Sequence, residues 1–251
     1  VYGKASAKSM QEPKAFVDDR AWQLPAWVGA KWARLPSAAY AWETVEALPG
    51  RYHLTPAQRR ALELGRPAGV NLVMPLTTQH PRVAATALGE RFEAYVQYLA
   101  SQCGPAVAGW EVRYAGQTGR EFVELVERAR RQVGPALLAA GTFDTAKTAL
   151  TESLVGKVGA IVVSLSLSGD APALAEQMAN CRKLAAQLGS PAGVWVEATI
   201  PDVEATPAPE IARRMAVAFL ECQRAGLRFF WGHASGLPGG LLDNMFDPEE
   251  Y

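Results

Sequence analysis

The sequence predicts an α/β fold, a closed barrel of eight parallel strands with helices on the outside. Three observations carry this. Short apolar runs recur at residues 1–5, 31–35, 70–76, 107–112, 136–140, 160–165, 193–196 and 227–231. Several are apolar at consecutive positions, as strands covered on both faces must be. Stretches with helical periodicity lie between them, and 251 residues suit one (β/α)8 domain. The open doubly wound sheet is the alternative, but it calls for a glycine-rich phosphate loop after an early strand. Neither GxGxxG nor GxxxxGK[ST] occurs.

Taken in order, residues 1–28 read as an N-terminal arm with a weak first strand and a first helix. After the third strand, Phe92, Tyr95, Val96 and Leu99 recur at helical spacing, and Gly104-Pro105 ends that helix. Phe122, Leu125, Val126, Ala129 and Val133 make the next stripe, with Glu and Arg between them. Leu174, Met178, Cys181, Leu184 and Leu188 form another, and Ile211, Met215, Phe219 and Cys222 the last. Gly189 and Gly226 stand where helix stops belong, just before the following strands. Residues 201–209, rich in Pro, Ala and Thr, are the best candidate for a long loop. The other connections are short, so a compact single domain over residues 1–251 is expected.

Composition narrows the function classes. Twenty-five basic and 25 acidic residues cancel, so no field favours nucleic acid. No apolar run is long enough to span a bilayer. Cys103, Cys181 and Cys222 are far apart and match no zinc spacing, and Cys181 and Cys222 fall on apolar helix faces. His53, His80 and His233 are equally scattered. No metal site and no cofactor are expected. No signal peptide is visible, but a chain that starts at Val1 rather than Met says nothing about export.

Seven segments, in barrel order, carry a resemblance. Gly29-Ala30-Lys31-Trp32-Ala33-Arg34-Leu35 resembles the second strand of clan A glycoside hydrolases, Gly-Ala-Lys-Trp-Val-Arg-Leu. Trp42-Glu43-Thr44-Val45-Glu46, followed by Pro49-Gly50-Arg51-Tyr52, resembles Trp-x-x-Ile/Val-Glu-Pro-x-x-Gly-x-Tyr. Residues 69–75 resemble the third strand, and residues 99–112 the third helix and fourth strand. Trp110-Glu111-Val112-Arg113-Tyr114-Ala115-Gly116 is similar to Trp-Glu-x-Trp-Asn-Glu-Pro at the end of that strand. Val194-Trp195-Val196-Glu197-Ala198-Thr199 resembles the seventh strand, Val-Trp-Val-Thr-Glu-Thr. Phe229-Phe230-Trp231 and Gly240-Leu241-Leu242-Asp243 resemble strand eight and its loop. The similarity is nearest the β-xylosidase and α-iduronidase-like members, and it implies a glycoside hydrolase-like TIM barrel.

The resemblance also implies a site, and the residues depart from it. Retaining enzymes need two carboxyl groups about 5–5.5 Å apart. The acid/base position maps to Ala115 and the neighbouring sugar-contacting Asn to Tyr114. The nucleophile position maps without a gap to Ala198, one residue after Glu197. A shift of one residue turns a strand side chain to the opposite face, so Glu197 is expected to need a bulge to serve. The sixth-strand His and Tyr map to Ser166 and Ser168. Arg34, which the family holds near its nucleophile, and Trp231, its sugar platform, survive.

The expected catalytic set is therefore empty, and Arg34, Tyr114, Trp231 and His233 are the candidate ligand contacts. Asp144, Asp170 and His80 also fall near strand ends and read as ordinary loop polar groups. Trp22, Trp27, Trp32 and Trp42 are either packing or a docking surface for another protein. The expectation is a non-catalytic barrel acting as a binding or structural subunit, in a protein assembly, with carbohydrate as a further ligand class. The alternative is a divergent retaining hydrolase that uses Glu111 and Glu197. The resemblance implies a periplasmic or extracellular location and leaves the cytoplasm open.

Overall fold

The computed structural model describes residues 31–65, 69–144, 148–167, 171–189, 193–200 and 206–231. Its centre is a seven-stranded sheet in sequential order. The strands are β1 (Trp32–Arg34), β2 (Asn71–Thr77), β3 (Gly109–Arg113), β4 (Leu137–Asp144), β5 (Ala160–Ser166), β6 (Val194–Thr199) and β7 (Arg228–Trp231). Every pairing is parallel. The sheet curls into a nearly closed barrel. Trp32 on β1 lies 5.9 Å, ring to ring, from Trp195 on β6, and the Arg228 guanidinium of β7 lies 4.8 Å over the Trp32 ring. The predicted first strand, residues 1–5, lies outside the described residues, so β1 here is the predicted second strand.

Helices separate the strands. They are α1 (Trp42–Val45), α2 (Pro56–Gly65), α3 (Leu88–Cys103), α4 (Gly119–Val133), α5 (Thr148–Leu154), α6 (Ala171–Gln187) and α7 (Ala208–Arg224). The four predicted stripes fall on α3, α4, α6 and α7. No apolar stripe in the sequence marks α1, α2 or α5. Arg59, Arg60 and Glu63 break up the apolar pattern of α2, and α5 has only seven residues. Helix α4 shows how local signals agree. The Thr118 hydroxyl accepts from the Glu121 N–H, and the Glu121 carboxylate accepts from the Thr118 N–H. Phe122, Leu125, Val126 and Ala129 bury one face, each of the larger side chains contributing about 1.5–3 kcal/mol of apolar burial. Arg130 Nη1 donates to the carbonyls of Gly134 and Ala136, which closes the turn into β4.

Alternation along the strands builds two cores. Leu72, Met74, Leu76, Val112, Ile161, Val163, Leu165, Val194, Val196 and Ala198 face the helices in the larger core. Val73, Ala139, Ala160, Val162 and Trp195 fill the barrel interior, with Trp32, Leu137 and Phe230 against them. Both faces being covered explains the unbroken apolar runs.

Strand β4 is longer than its apolar run, which stops at Ala140. Its register with β5 shifts between Ala140 and Phe143, so residues of mixed polarity continue the strand. Gly141 sits at that irregularity. A Cβ there would stand 2.5 Å from both the Cβ and the carbonyl oxygen of Val162.

Candidate functional site

The inward positions near the C-terminal ends of the strands converge on one charged cluster. Arg34 ends β1, Glu111 and Arg113 share one face of β3, Thr142 lies in the irregular part of β4, and Glu197 lies on β6. Arg34 spans the two carboxylates: Nε is 2.6 Å from Glu111 Oε2 and Nη1 is 2.7 Å from Glu197 Oε1. Arg113 Nη1 lies 3.4 Å from Glu111 Oε1 and 3.6 Å from Glu197 Oε2. The Thr142 hydroxyl donates to Glu197 Oε2 at 2.6 Å. The close Arg34–Glu111 contact is not aligned as a hydrogen bond, and among the described residues Arg34 Nη2 and Glu111 Oε2 are both buried without a hydrogen-bond partner.

The surroundings set the charges. Burial pushes the Glu111 carboxyl up, and the opposing charges of Arg34 and Arg113 do not cancel that push. Burial acts the same way on Glu197, but Arg34, Arg113 and the Thr142 hydroxyl outweigh it and hold that carboxyl below the usual range. The two carboxyls shift in opposite directions because Glu111 exposes none of its side chain, whereas Glu197 keeps 12% and gains the Thr142 bond. Burial alone lowers the pKa of Arg34; the Glu111 and Glu197 charges reverse this and raise it.

Glu197 reaches the interior without a bulge. The β5–β6 register is unbroken from Val194 to Thr199, with Trp195 and Glu197 inward and Ala198 fully buried in the outer core. The expectation that Glu197 needs re-aiming is thus corrected, and the irregular strand is β4. Ala115, at the implied acid/base position, is exposed. Its N–H donates to Gln117 Oε1 at 2.9 Å and its carbonyl accepts from Gln79 Nε2 at 2.8 Å. Tyr114 does not join the cluster. Its ring packs on Phe122 and Phe143 in the sheet–helix layer, with centroids at 5.3 and 5.4 Å.

Trp231 ends β7 as the register partner of Ala198, and its side chain lies outside the described residues, as do His233, Ser168 and Asp170 and the side chain of Asp144. The aromatic ring that does meet the cluster is Phe230, the register partner of Glu197, with the Arg34 guanidinium carbon 5.7 Å from its centre. Arg113 and Phe230 were missed by sequence reasoning. The signal was available, since Arg113 is two residues from Glu111 and Phe230 two from Arg228. Ser166 holds α6 through its backbone, accepting from and donating to the Gln177 amide.

The remaining candidates are structural. His80 is buried against Trp42, with ring centres 5.3 Å apart, and burial lowers its pKa. Glu46 is also buried. Its carboxylate accepts from Trp42 Nε1 at 2.6 Å and from the Gly50 N–H at 2.5 Å, and pairs with Arg91. This explains the Trp42–Gly50 motif as a loop clamp. Trp32 faces the barrel interior and Trp42 is fully buried, while Trp22 and Trp27 lie outside the described residues. The three cysteines are free and buried. Among the described residues no group of three or more His, Cys, Asp or Glu could hold a metal, and no helix is long and apolar enough to cross a membrane.

This architecture is a nearly closed parallel barrel with helices outside it. No protein-family model matches the chain, and no curated protein matches it. Solved structures do. A family 39 glycoside hydrolase from Bacteroides cellulosilyticus superposes with a TM-score of 0.66 at 12% identity, over 89% of this chain and 55% of that one. The endo-1,4-beta-D-mannanase of Thermotoga petrophila gives 0.65 at 15% identity, over 88% and 84%. Cellulose synthase subunit Z from Clostridioides difficile gives 0.60 at 11% identity, over 92% and 88%. The chain thus spans about half the length of the first of these. At these identities the likeness establishes the (β/α)8 glycosidase-like fold.

Proposed function

We propose that this chain is a non-catalytic glycosidase-like barrel that serves as a binding or structural subunit of a larger assembly in the periplasm or cell exterior. One observation carries the reading: both inward carboxylates are held in the Arg34–Arg113 cluster, while the implied acid/base position is Ala115. A general acid must reach the glycosidic oxygen, and Glu111 exposes no surface. A nucleophilic carboxylate must turn an oxygen to the sugar, and Glu197 has Oε1 on Arg34 and Oε2 on the Thr142 hydroxyl. The subunit role also draws on the structural likeness to a protein named as a cellulose synthase subunit.

The competing reading is a retaining hydrolase using Glu111 and Glu197. Arg34 does bring those two groups to one guanidinium, but without an accessible acid. The test is a panel of aryl glycosides offered to the wild type, Glu111→Gln and Glu197→Gln. No turnover is expected from any of them. Wild-type turnover abolished by either substitution overturns the non-catalytic reading. Purification from the native source is expected to yield the chain in a defined complex; recovery only as the free chain overturns the assembly role.

A further inference from the structure

We propose that the N-terminal arm of this chain docks on α7, with Trp22, Leu24, Trp27 and Val28 seated on an apolar flank of that helix. This surface is apart from the barrel mouth, and the proposal is independent of the function read there. Helix α7 buries Ala218 and Cys222 toward the sheet. One of its sides meets α6 and the chain after β5: Glu221 pairs with Arg182 at 3.2 Å, and Arg214 Nη1 donates to the Leu167 carbonyl at 3.0 Å. At 3.6 residues per turn, Ala212, Ala216, Phe219 and Leu220 lie on the opposite side. All four are exposed, Phe219 by 45% and Leu220 by 59%. A lone exposed leucine needs no partner, but four apolar residues on one helix flank form the kind of patch that marks a contact.

The position of this flank singles out the arm as its occupant. The Phe219 ring meets Phe229 of β7 edge-on at 5.8 Å, so the flank looks over β7 on the side away from α6. Strands β1 and β7 are the two edges of the sheet, and Arg228 over the Trp32 ring holds their N-terminal ends close. Helix α7 runs against the strands and turns into β7 where the Leu227 N–H donates to the Cys222 carbonyl at 2.9 Å. Phe219 and Leu220 therefore stand at the end of the barrel where the chain enters β1. Val28 and Trp27 come three and four residues before Lys31. That length of chain spans up to about 10–14 Å, enough to pass from the barrel wall to the helix layer. Residues 232–251 leave β7 at its opposite end and would have to run back along α7. Charge fits as well: Arg213 and Arg224 border the flank and are exposed, and Asp18-Asp19 precede Trp22 in the arm.

The test is photo-cross-linking of the whole chain with p-benzoylphenylalanine in place of Leu220, mapped by peptide mass spectrometry. The expected product joins α7 to a peptide from residues 14–30 within a single chain. A second measurement is amide hydrogen exchange in the wild type and in Leu220→Lys. Residues 20–28 are expected to be protected in the wild type. In Leu220→Lys they are expected to exchange at least about tenfold faster, the effect of losing one large buried apolar side chain. Exchange in β2 to β6 is expected to stay unchanged, which shows the barrel intact. Where Leu220→Lys disturbs those strands, Leu220→Ala decides.

A cross-link to residues 232–251 gives the flank to the other end of the chain and overturns the proposal. A product of twice the chain's mass gives it to a second copy and does the same. No peptide cross-link at all, or residues 20–28 unprotected in the wild type, overturns it too. So does exchange there that Leu220→Lys leaves unchanged. Neither measurement involves a glycoside, so this proposal and the non-catalytic reading fail separately.

Discussion

Arg34→Gln tests whether the cluster is a buried electrostatic unit. The substitution keeps a polar side chain of intermediate length and removes the cation that lies 2.6 Å from Glu111 and 2.7 Å from Glu197. Removing one partner of a buried ion pair costs about 3–5 kcal/mol, because the other is left uncompensated. Arg113 remains at 3.4 and 3.6 Å, so the lower end, about 3 kcal/mol, is expected. At roughly 2–4 °C per kcal/mol for a chain of this size, the melting temperature falls by about 6–12 °C.

The assay is urea unfolding followed by tryptophan fluorescence, at about pH 7 and about pH 5. The folded-state pKa of Glu111 is raised above its unfolded value, so its ionisation opposes folding as pH rises through the folded value. Loss of Arg34 raises that pKa further. The penalty of Arg34→Gln is therefore largest near pH 7 and shrinks toward pH 5. Arg34→Met combined with Glu111→Leu removes both charges, leaves Glu197 with Arg113 and Thr142, and is expected to recover most of the stability. A loss under about 1 kcal/mol, or a penalty that grows at low pH, refutes the buried cluster.

Three further outcomes are expected. Gly141→Ala forces a Cβ to within 2.5 Å of Val162 and should destabilise by about 1–3 kcal/mol in thermal unfolding. Gly109→Ala, whose nearest neighbour would be Leu137 Cδ2 at 3.4 Å, is its milder control. Thr118→Ala removes the hydroxyl that caps α4 and keeps the backbone N–H that donates to Glu121, with a loss of about 1 kcal/mol by urea unfolding. Glu197 has a depressed folded pKa, so its contribution is present above the unfolded carboxylate range and is lost as pH falls through the folded value. Acid titration should show the wild type losing stability below about pH 4 and Glu197→Gln losing less of it, and parallel curves contradict this.

The sequence by itself determined what depends on local pattern. Consecutive apolar residues marked strands covered on both faces, and stripes such as Phe122 to Ala129 marked helices that pack on them. Their alternation implied the barrel, because parallel strands joined by helices must bury both faces of the sheet. The departure at Ala115 from the motif that the sequence resembles was equally legible. The site was read only in part, because membership depends on the phase of each strand and on distances across the barrel. An apolar run hides its phase. Val194, Val196 and Ala198 look no different from inward residues until the register is known, and so Glu197 was assigned to the wrong face. The register shift in β4 that brings Thr142 to Glu197 leaves no mark in composition. Arg34, Glu111, Arg113 and Glu197 are up to 163 residues apart (from 34 to 197), and only closure of the sheet brings them to one place. Whether a carboxylate there is a free reagent or half of an ion pair is a matter of ångströms, and tertiary structure alone decides it.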